Sequence, residues 1–226
     1  MSLFHSGATA SATPIKRRGL LSYSAAAIAM TAMLSASPAA MATDPSGPTA
    51  PIEQLDTALL AAMRAGQNTP FAQRYAMLAP AVEQAYDLHA VLAAAVGPAW
   101  FSMTSAQKAA LEPAFQRYTI SDYTANFDSY DGQNFRVLPQ TRTLPDGDVV
   151  VRTQIERRNK SPVTIDYVMR HKPAGWKVVD VLSDGTISSV AVQRSDFNAL
   201  LASGGAPALE AGLQRKVQTL SNGTLA

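Results

Sequence analysis

Residues Trp176 to Gly205 read WKVVDVLSDGTISSVAVQRSDFNALLASGG, and this stretch says more about the fold than any other part of the chain. Alternating apolar residues from Trp176 predict a buried strand, Asp184-Gly185 predicts a tight turn, and a second short strand follows. Ser195-Asp196 predicts the start of a helix and Gly204-Gly205 its end. The stretch carries no nucleophile motif, metal cluster or phosphate loop, which favours binding over catalysis.

The strand pattern continues towards the N-terminus from this stretch. Apolar residues alternate from Phe135 to Val137, from Val149 to Ile155 and from Ile165 to Met169, with turn residues between the runs. Strands joined by such short loops pair in antiparallel fashion. The sequence therefore predicts an antiparallel sheet formed by successive strands.

Helical periodicity flanks the strands on both sides. Apolar residues recur at three- and four-residue steps between Pro51 and Phe127, and again after Pro207. Pro80 is predicted to break or kink one of these helices. Helices followed by strands and a final helical part are typical of an α+β domain. We predict helices on one face of a curved antiparallel sheet, with an apolar cavity between the layers.

The first 42 residues have the pattern of an export signal. A basic cluster at Lys16, Arg17 and Arg18 precedes the apolar run from Gly19 to Leu34, and Ala40-Met41-Ala42 fits a cleavage site. The arginine pair also fits a twin-arginine signal, so the export route stays open. We predict a signal peptide at 1–42, a flexible Pro/Gly/Ser linker at 43–50 and a single domain at 51–226.

Composition excludes several classes of function. Three of the 19 basic residues and none of the 17 acidic residues lie in the signal, so the remaining chain has a formal charge of −1. Such a balance does not indicate nucleic-acid binding, which needs a clustered basic surface. The chain has no cysteine, and His89 and His171 are well separated after the signal. We therefore predict no disulfide, no metal site and no cofactor.

Aromatic and aliphatic residues supply the candidate binding site. At helical or strand spacing such residues usually form a core, but as a group facing one interlayer space they can line an apolar cavity. The predicted cavity-lining residues are Phe101, Leu111, Phe115, Tyr123, Phe127, Val149, Val151, Tyr167 and Trp176.

Several of these motifs are shared with a known family. The segments that carry the likeness are Phe115-Gln116-Arg117-Tyr118, residues 123–132 (YTANFDSYDG), Tyr167, residues 176–188 and Arg194-Ser195-Asp196-Phe197. Their order and spacing resemble the MlaC-type periplasmic lipid-binding proteins, also called the toluene-tolerance family. The likeness is greatest to the hopanoid-associated branch, HpnM.

This resemblance implies a fold of the nuclear-transport-factor-like type and a periplasmic lipid-transfer function without catalysis. The implied partners are a lipid ligand, the lipid-binding ring component of an inner-membrane ABC transporter and an outer-membrane lipoprotein complex, with the chain itself a monomer. Phospholipid and hopanoid both remain open as cargo, because FQRYTISDYTANF is more polar than the Leu-rich helix of general phospholipid carriers.

Two other functions remain open from the residues alone. An isomerase or dehydratase on the same fold would act on an apolar substrate and would need a carboxylate or a tyrosine deep in the cavity, with Asp180 and Tyr123 as candidates. A structural or adaptor protein would instead have a completely filled core. The sequence alone does not name the lipid or the direction of transfer.

Overall fold

The structure is a computed structural model that describes residues 47–225. The predicted signal peptide and residues 43–46 of the predicted linker lie outside the described residues. The first helix begins at Ala50, the last residue of that linker. The helices are α1 (Ala50–Ala65), α2 (Phe71–Ala85), α3 (Leu88–Val96), α4 (Ala99–Ser102), α5 (Ser105–Asn126) and α6 (Ser189–Leu220). The strands are β1 (Asn134–Thr143), β2 (Val149–Arg157), β3 (Lys160–Lys172), β4 (Gly175–Ser183) and β5 (Ile187–Ser188).

The five strands form one open sheet in the order β1-β2-β3-β4-β5, and every neighbouring pair is antiparallel. Sequential hairpins of this kind follow from the short turns between the strands. The β4–β5 turn places Asp184 and Gly185 at positive φ, as the Asp-Gly pair predicts. The predicted α+β class with an antiparallel sheet is confirmed.

The two faces of the sheet differ in polarity. Val149, Val151, Thr153 and Ile155 of β2 share one face, and the register places Val151 opposite Tyr167. The other face carries two bidentate ion pairs, Arg152–Asp166 with a shortest distance of 2.8 Å and Arg170–Asp148 at 2.6 Å. This alternation leaves the apolar face for the helices.

The pairing of the strands is irregular at three places. The register shifts between Val137 and Thr141, between Ile155 and Arg157, and between Val168 and Met169. A β-bulge generally adds local twist and bends the bulged strand. Such irregularities are a physical source for the curvature that the sequence predicts.

The junction of α2 and α3 bonds directly to the free edge of β4. Tyr86 forms an isolated bridge with Val178, and the Asp87 backbone N–H donates to the Val178 carbonyl at 3.0 Å. Asp87 also caps α3, since its Oδ1 accepts from Ala90 N at 2.9 Å, and it pairs with Lys172 Nζ at 2.9 Å. An edge strand is thereby covered and the helix layer is fixed to the sheet.

Two helix boundaries differ from the sequence prediction. The helix does not break at Pro80, because α2 runs on to Ala85 with Leu78 and Val82 fully buried on either side of the proline. Packing thus outweighs the lost backbone hydrogen bond. Helix α6 begins at Ser189, about two turns before the predicted start, because Ser188 caps it by accepting from Ala191 N at 3.0 Å.

The interruption of α6 at Gly204 and Gly205 agrees with the sequence. Both glycines have non-helical backbone angles, and Gly205 has a φ of 65°. Pro207 then restarts the helix, as its fixed φ allows in a first turn. Among residues 47–225, none of the helices combines the length and apolarity needed to cross a bilayer.

Asp180 joins the end of the sheet to the start of α6. Its carboxylate accepts hydrogen bonds from Val181 N at 2.7 Å, Ser188 Oγ at 2.5 Å and Val190 N at 3.1 Å. A carboxylate is favourable beside a helix N-terminus because free N–H groups and the helix dipole both point at it. Asp180 therefore has a structural role in the connection.

We expect Asp180→Ala to lower the free energy of unfolding by about 2–4 kcal/mol, because it removes a charged acceptor and leaves the N–H groups of Val181 and Val190 without it. Chemical denaturation measures the loss. The matched control is Asp184→Asn, an exposed neighbour at positive φ that Asn tolerates, with an expected change within about 0.5 kcal/mol. Equal stability of the two variants would contradict the role of Asp180.

Candidate functional site

Three tyrosines meet between the helices and the apolar face of the sheet. Tyr123 comes from α5, Tyr86 follows the last residue of α2, and Tyr167 lies in β3. The hydroxyls of Tyr86 and Tyr123 form a hydrogen bond, and those of Tyr123 and Tyr167 lie close enough to interact. The contact places all three hydroxyls in one polar cluster inside an otherwise apolar layer.

Local structure holds each tyrosine in place. The bridge between Tyr86 and Val178 fixes Tyr86 at the sheet edge, and strand register fixes Tyr167 opposite Val151. Tyr123 lies in the last turn and a half of α5, whose N-terminus has the capping box formed by Thr104 and Gln107. Near the C-terminus of α5, the buried Arg74 of α2 donates to the Thr124 carbonyl at 2.8 Å.

An aromatic row extends from the tyrosines towards β1. The rings of Tyr86 and Tyr123 meet edge to face at 6.0 Å between centroids, and Tyr123 stacks on Phe127 at 5.8 Å. Phe127 in turn lies 5.9 Å from Phe135 of β1. Such a row supplies a broad apolar surface with hydroxyls at one end.

Asp56 of α1 is a buried carboxyl that the sequence analysis missed. The residue is 6% exposed, and its Oδ1 has no hydrogen-bond partner within the part of the chain that the structure describes. Burial raises the pKa of this carboxyl from 3.8 to about 7, and the charge of Glu53 adds to the shift. A detectable signal was present, since Asp56 falls on the same helical stripe as the buried Ile52, Leu59 and Met63.

The charge of Asp56 reaches the tyrosine cluster. Burial is the main cause that raises the pKa of Tyr123 to about 12, and the charges of Asp122 and Asp56 contribute. Burial also raises the pKa of Tyr167 well above its usual value, with added contributions from Tyr123 and Asp56. The three tyrosines are therefore neutral at ordinary pH and act as hydrogen-bonding hydroxyls.

The structure brings five of the predicted cavity residues to the space between the layers. Tyr123 lies in α5 and Phe127 directly follows it, while Val149, Val151 and Tyr167 lie on the interior face of the sheet. Tyr123 and Val149 are half-buried and so retain accessible surface, whereas Val151 is fully buried.

The other four predicted residues lie elsewhere. Leu111 and Phe115 are fully buried core residues, and the Phe115 ring meets Phe197 of α6 edge to face at 6.2 Å. Trp176 lies at the β3–β4 hairpin against His171, at 5.0 Å between rings. The placement of Phe101 as cavity lining is wrong, because it is 87% exposed: α4 is a single turn in which Trp100 takes the inward position.

The residues considered for acid–base or metal chemistry are scattered. Asp180 is fully engaged at the α6 N-terminus, His89 is exposed and pairs with Glu112 at 2.9 Å, and His171 is also exposed. Within residues 47–225 no group of His, Cys, Asp or Glu has the arrangement of a metal site. Asp56 differs from these residues, because it is buried and its charge contributes to the raised pKa of Tyr123.

A recess of about 300 Å³ lies outside this region. Its walls come from α5, the second part of α6 and the residues after it, and the sheet does not contribute. The recess is lined by Ala110, Pro113, Ala114, Arg117, Glu210, Gln214, Val217, Gln218 and Leu225. It is therefore separate from the cluster between helices and sheet.

Comparison with known proteins adds to this description. Residues 53–215 match the model of the family described as MlaC protein. The chain is similar to a solved structure of a phospholipid-binding protein from Ralstonia solanacearum in complex with a phospholipid, with 22% identity and a TM-score of 0.66. That match covers 77% of this chain and 98% of the other, and at this identity it shows the fold. The comparison with curated proteins finds no match.

We expect the buried carboxyl of Asp56 to make stability fall as the pH rises from about 4 to about 8. The folded protein keeps the proton up to about pH 7, whereas the unfolded chain releases it near 3.8, so deprotonation favours the unfolded state in this window. The difference corresponds to roughly 4 kcal/mol. Asp56→Asn and Asp56→Leu have no carboxyl at this position, so their stability should lack this pH dependence. Denaturation of native and variant chains across the pH range tests it, and parallel curves would contradict a buried, titrating Asp56.

Proposed function

We propose, from the premise that this chain belongs to the MlaC protein family, that it binds a phospholipid or a related lipid and carries it through the periplasm. The lipid tail would lie between the helix layer and the interior face of the sheet. The chain would receive or deliver its cargo at membrane-bound partners and would not alter it chemically. The protein families and structures to which the chain is matched are lipid-binding ones, which supports a non-catalytic function.

The state of Tyr123 carries this proposal. Its side chain keeps accessible surface, yet its surroundings are poor enough in water to raise its pKa to about 12. Accessible surface in a dehydrated region is what a space between layers provides. The related fold from Ralstonia solanacearum was solved with a phospholipid bound, which supports the same use of the space here.

A carrier of this kind solves a specific energetic problem. Each CH₂ group that leaves an apolar environment for water costs about 0.8 kcal/mol, so a 16-carbon chain costs roughly 13 kcal/mol. An aromatic surface such as the row from Tyr123 through Phe127 to Phe135 can replace the bilayer during transit. A polar head group can remain at the mouth of the space, in water.

The sequence pattern and the family support the proposed location and partners. The basic and apolar run before Ala40-Met41-Ala42 supports export to the periplasm. Membership of the family supports exchange with the lipid-binding ring component of an inner-membrane ABC transporter and with an outer-membrane lipoprotein complex. We propose a monomeric carrier between these two systems, with phospholipid as the first candidate cargo and hopanoid as the second.

Direct recovery of lipid is the first test of this function. Full-length chain is exported and purified without detergent, and native mass spectrometry should detect one bound lipid species on a large fraction of molecules. Extraction and lipid mass spectrometry then identify the cargo as phospholipid or hopanoid. Repeated preparations that yield only ligand-free protein would contradict the carrier.

We expect Val149→Trp to reduce lipid occupancy several-fold while the fold is kept. Val149 is half-buried on the interior face, so the larger side chain has room to fit but takes it from the ligand. The matched control is Ile187→Trp, which adds the same bulk at a residue 53% exposed in β5. Native mass spectrometry measures the lipid occupancy of each variant, and thermal denaturation shows whether the variant is folded. Unchanged occupancy in a folded Val149→Trp variant would place the lipid elsewhere.

The properties of Asp56 favour a second candidate function, that of an enzyme. A buried carboxyl with a pKa of about 7 has the properties of a general acid or base in an isomerase or dehydratase. The sequence analysis named Asp180 as the candidate carboxylate for such an enzyme. In the structure the candidate is Asp56. The substrate would again be apolar.

The mass and retention of the recovered ligand separate these two functions. A carrier retains the same compound in native chain and Asp56→Asn, because binding leaves the ligand unchanged. An enzyme would retain unconverted substrate in the variant, which differs from the product by one water for a dehydratase or in chromatographic retention for an isomerase. Identical ligands in both chains would exclude the catalytic function of Asp56.

A further inference from the structure

We propose that Asp56, together with the hydroxyls of Tyr123 and Tyr167, forms a hydrogen-bonding site for a hydroxyl group of the bound lipid. The inference rests on the proposed carrier function and deepens it, because it assigns the class of ligand group that reaches the inside of the layer. The site is distinct from the apolar surface that would contact the lipid tail.

The unpartnered oxygen of Asp56 is the first reason. Asp56 is 94% enclosed, and among the described residues nothing donates to its Oδ1. A buried acceptor without a donor costs about 1–3 kcal/mol, and proteins usually satisfy such a group with water or ligand. A ligand donor would remove this cost.

The tyrosines provide the complementary part. Each hydroxyl carries one proton and can accept further hydrogen bonds. The Tyr86–Tyr123 bond and the Tyr123–Tyr167 interaction use two of the three hydroxyl protons, so the cluster still has one proton to donate and free acceptor capacity. Tyr167 adds a third hydroxyl beside Tyr123. The cluster can therefore accept from a ligand group and donate to it.

Charge decides which ligand group fits. The influences on the pKa of Asp56 are its burial and the negative charge of Glu53, one turn earlier on α1, and the charge of Asp56 in turn helps to raise the pKa values of the neutral Tyr123 of α5 and Tyr167 of β3. A phosphate here would meet the like charge of the carboxyl, and among residues 47–225 no cation influences the pKa of Asp56, so phosphate binding is unfavourable. An ether or ester oxygen only accepts, so it leaves an ionised Asp56 unsatisfied.

A hydroxyl satisfies both parts of the site. It donates its proton to Asp56 Oδ1 and accepts from a tyrosine. The matching ligand class is a lipid alcohol: an apolar body that carries a free hydroxyl, whether on a ring system, an acyl chain or a glycerol. The phosphate of a phospholipid, where present, would lie away from Asp56.

The test compares 1-dodecanol with its methyl ether, in which a methyl group replaces the donor proton. Binding to the full chain, stripped of lipid, is measured by displacement of a fluorescent fatty-acid probe. At about pH 8.5, above the Asp56 pKa of about 7, we expect the alcohol to bind about tenfold more tightly than the ether. The preference should shrink at about pH 5.5, where a protonated Asp56 can donate to both probes.

Substitutions locate the effect. Asp56→Leu should abolish the preference and its pH dependence while both probes still bind. Tyr123→Phe should reduce the preference and, because it keeps the ring, retain a folded chain if Asp56→Leu does not fold. The control Glu53→Gln should keep the preference and move its midpoint to lower pH, because it removes an anion next to Asp56.

Three outcomes overturn the inference, and they differ in whether they also affect the carrier function. Equal binding of alcohol and ether to the native chain at both pH values overturns the hydroxyl site and leaves the carrier function intact. Binding of neither probe to any chain overturns both the site and the carrier. A preference that persists in folded Asp56→Leu also overturns the assignment, since another group would then recognise the hydroxyl.

Discussion

The attachment of the α2–α3 junction to the edge of β4 is the contact on which the rest of the arrangement depends. One backbone hydrogen bond from Asp87 to Val178, the cap on α3 and the ion pair with Lys172 all use the same residue. They fix the helix layer over the apolar face, and they place Tyr86 where it meets Tyr123. Edge strands are commonly covered in folded proteins, and here the covering segment also supplies a site residue.

Polarity is distributed unevenly through the interior that results. The row of Tyr123, Phe127 and Phe135 is apolar along most of its length and has tyrosine hydroxyls at one end, and the buried Asp56 adds a carboxyl whose charge influences Tyr123. An interior of this kind is costly for stability, because Asp56 Oδ1 has no donor among residues 47–225 and the pKa of the carboxyl is raised. Such groups are commonly retained in proteins where a ligand uses them. The buried carboxyl of Asp56 therefore accounts both for the loss of stability and for the proposed recognition of a hydroxyl.

Several residues that carry the family likeness have roles in the scaffold. Asp180 accepts three hydrogen bonds that join β4 to the start of α6. Arg194 donates from Nε and Nη2 to the Ala94 carbonyl, which links α6 to the last turn of α3. Phe197 packs edge to face on Phe115. These contacts show that the shared motifs stabilise the fold. The motifs do not by themselves identify the cargo.

The sequence by itself determined the fold class, the antiparallel order of the strands and the family. These depend on local periodicity, turn residues such as Asp184-Gly185 and motif spacing, which a chain displays without its tertiary contacts. The interior face of β2 could be predicted for the same reason, because side chains alternate along a strand. Only the tertiary structure decided the site. Asp56 becomes a buried, unpaired carboxyl through layer packing, and Phe101 is turned to the surface because Trp100 fills the core beside it. Burial and electrostatic environment arise from residues far apart in the chain, so sequence spacing does not specify them.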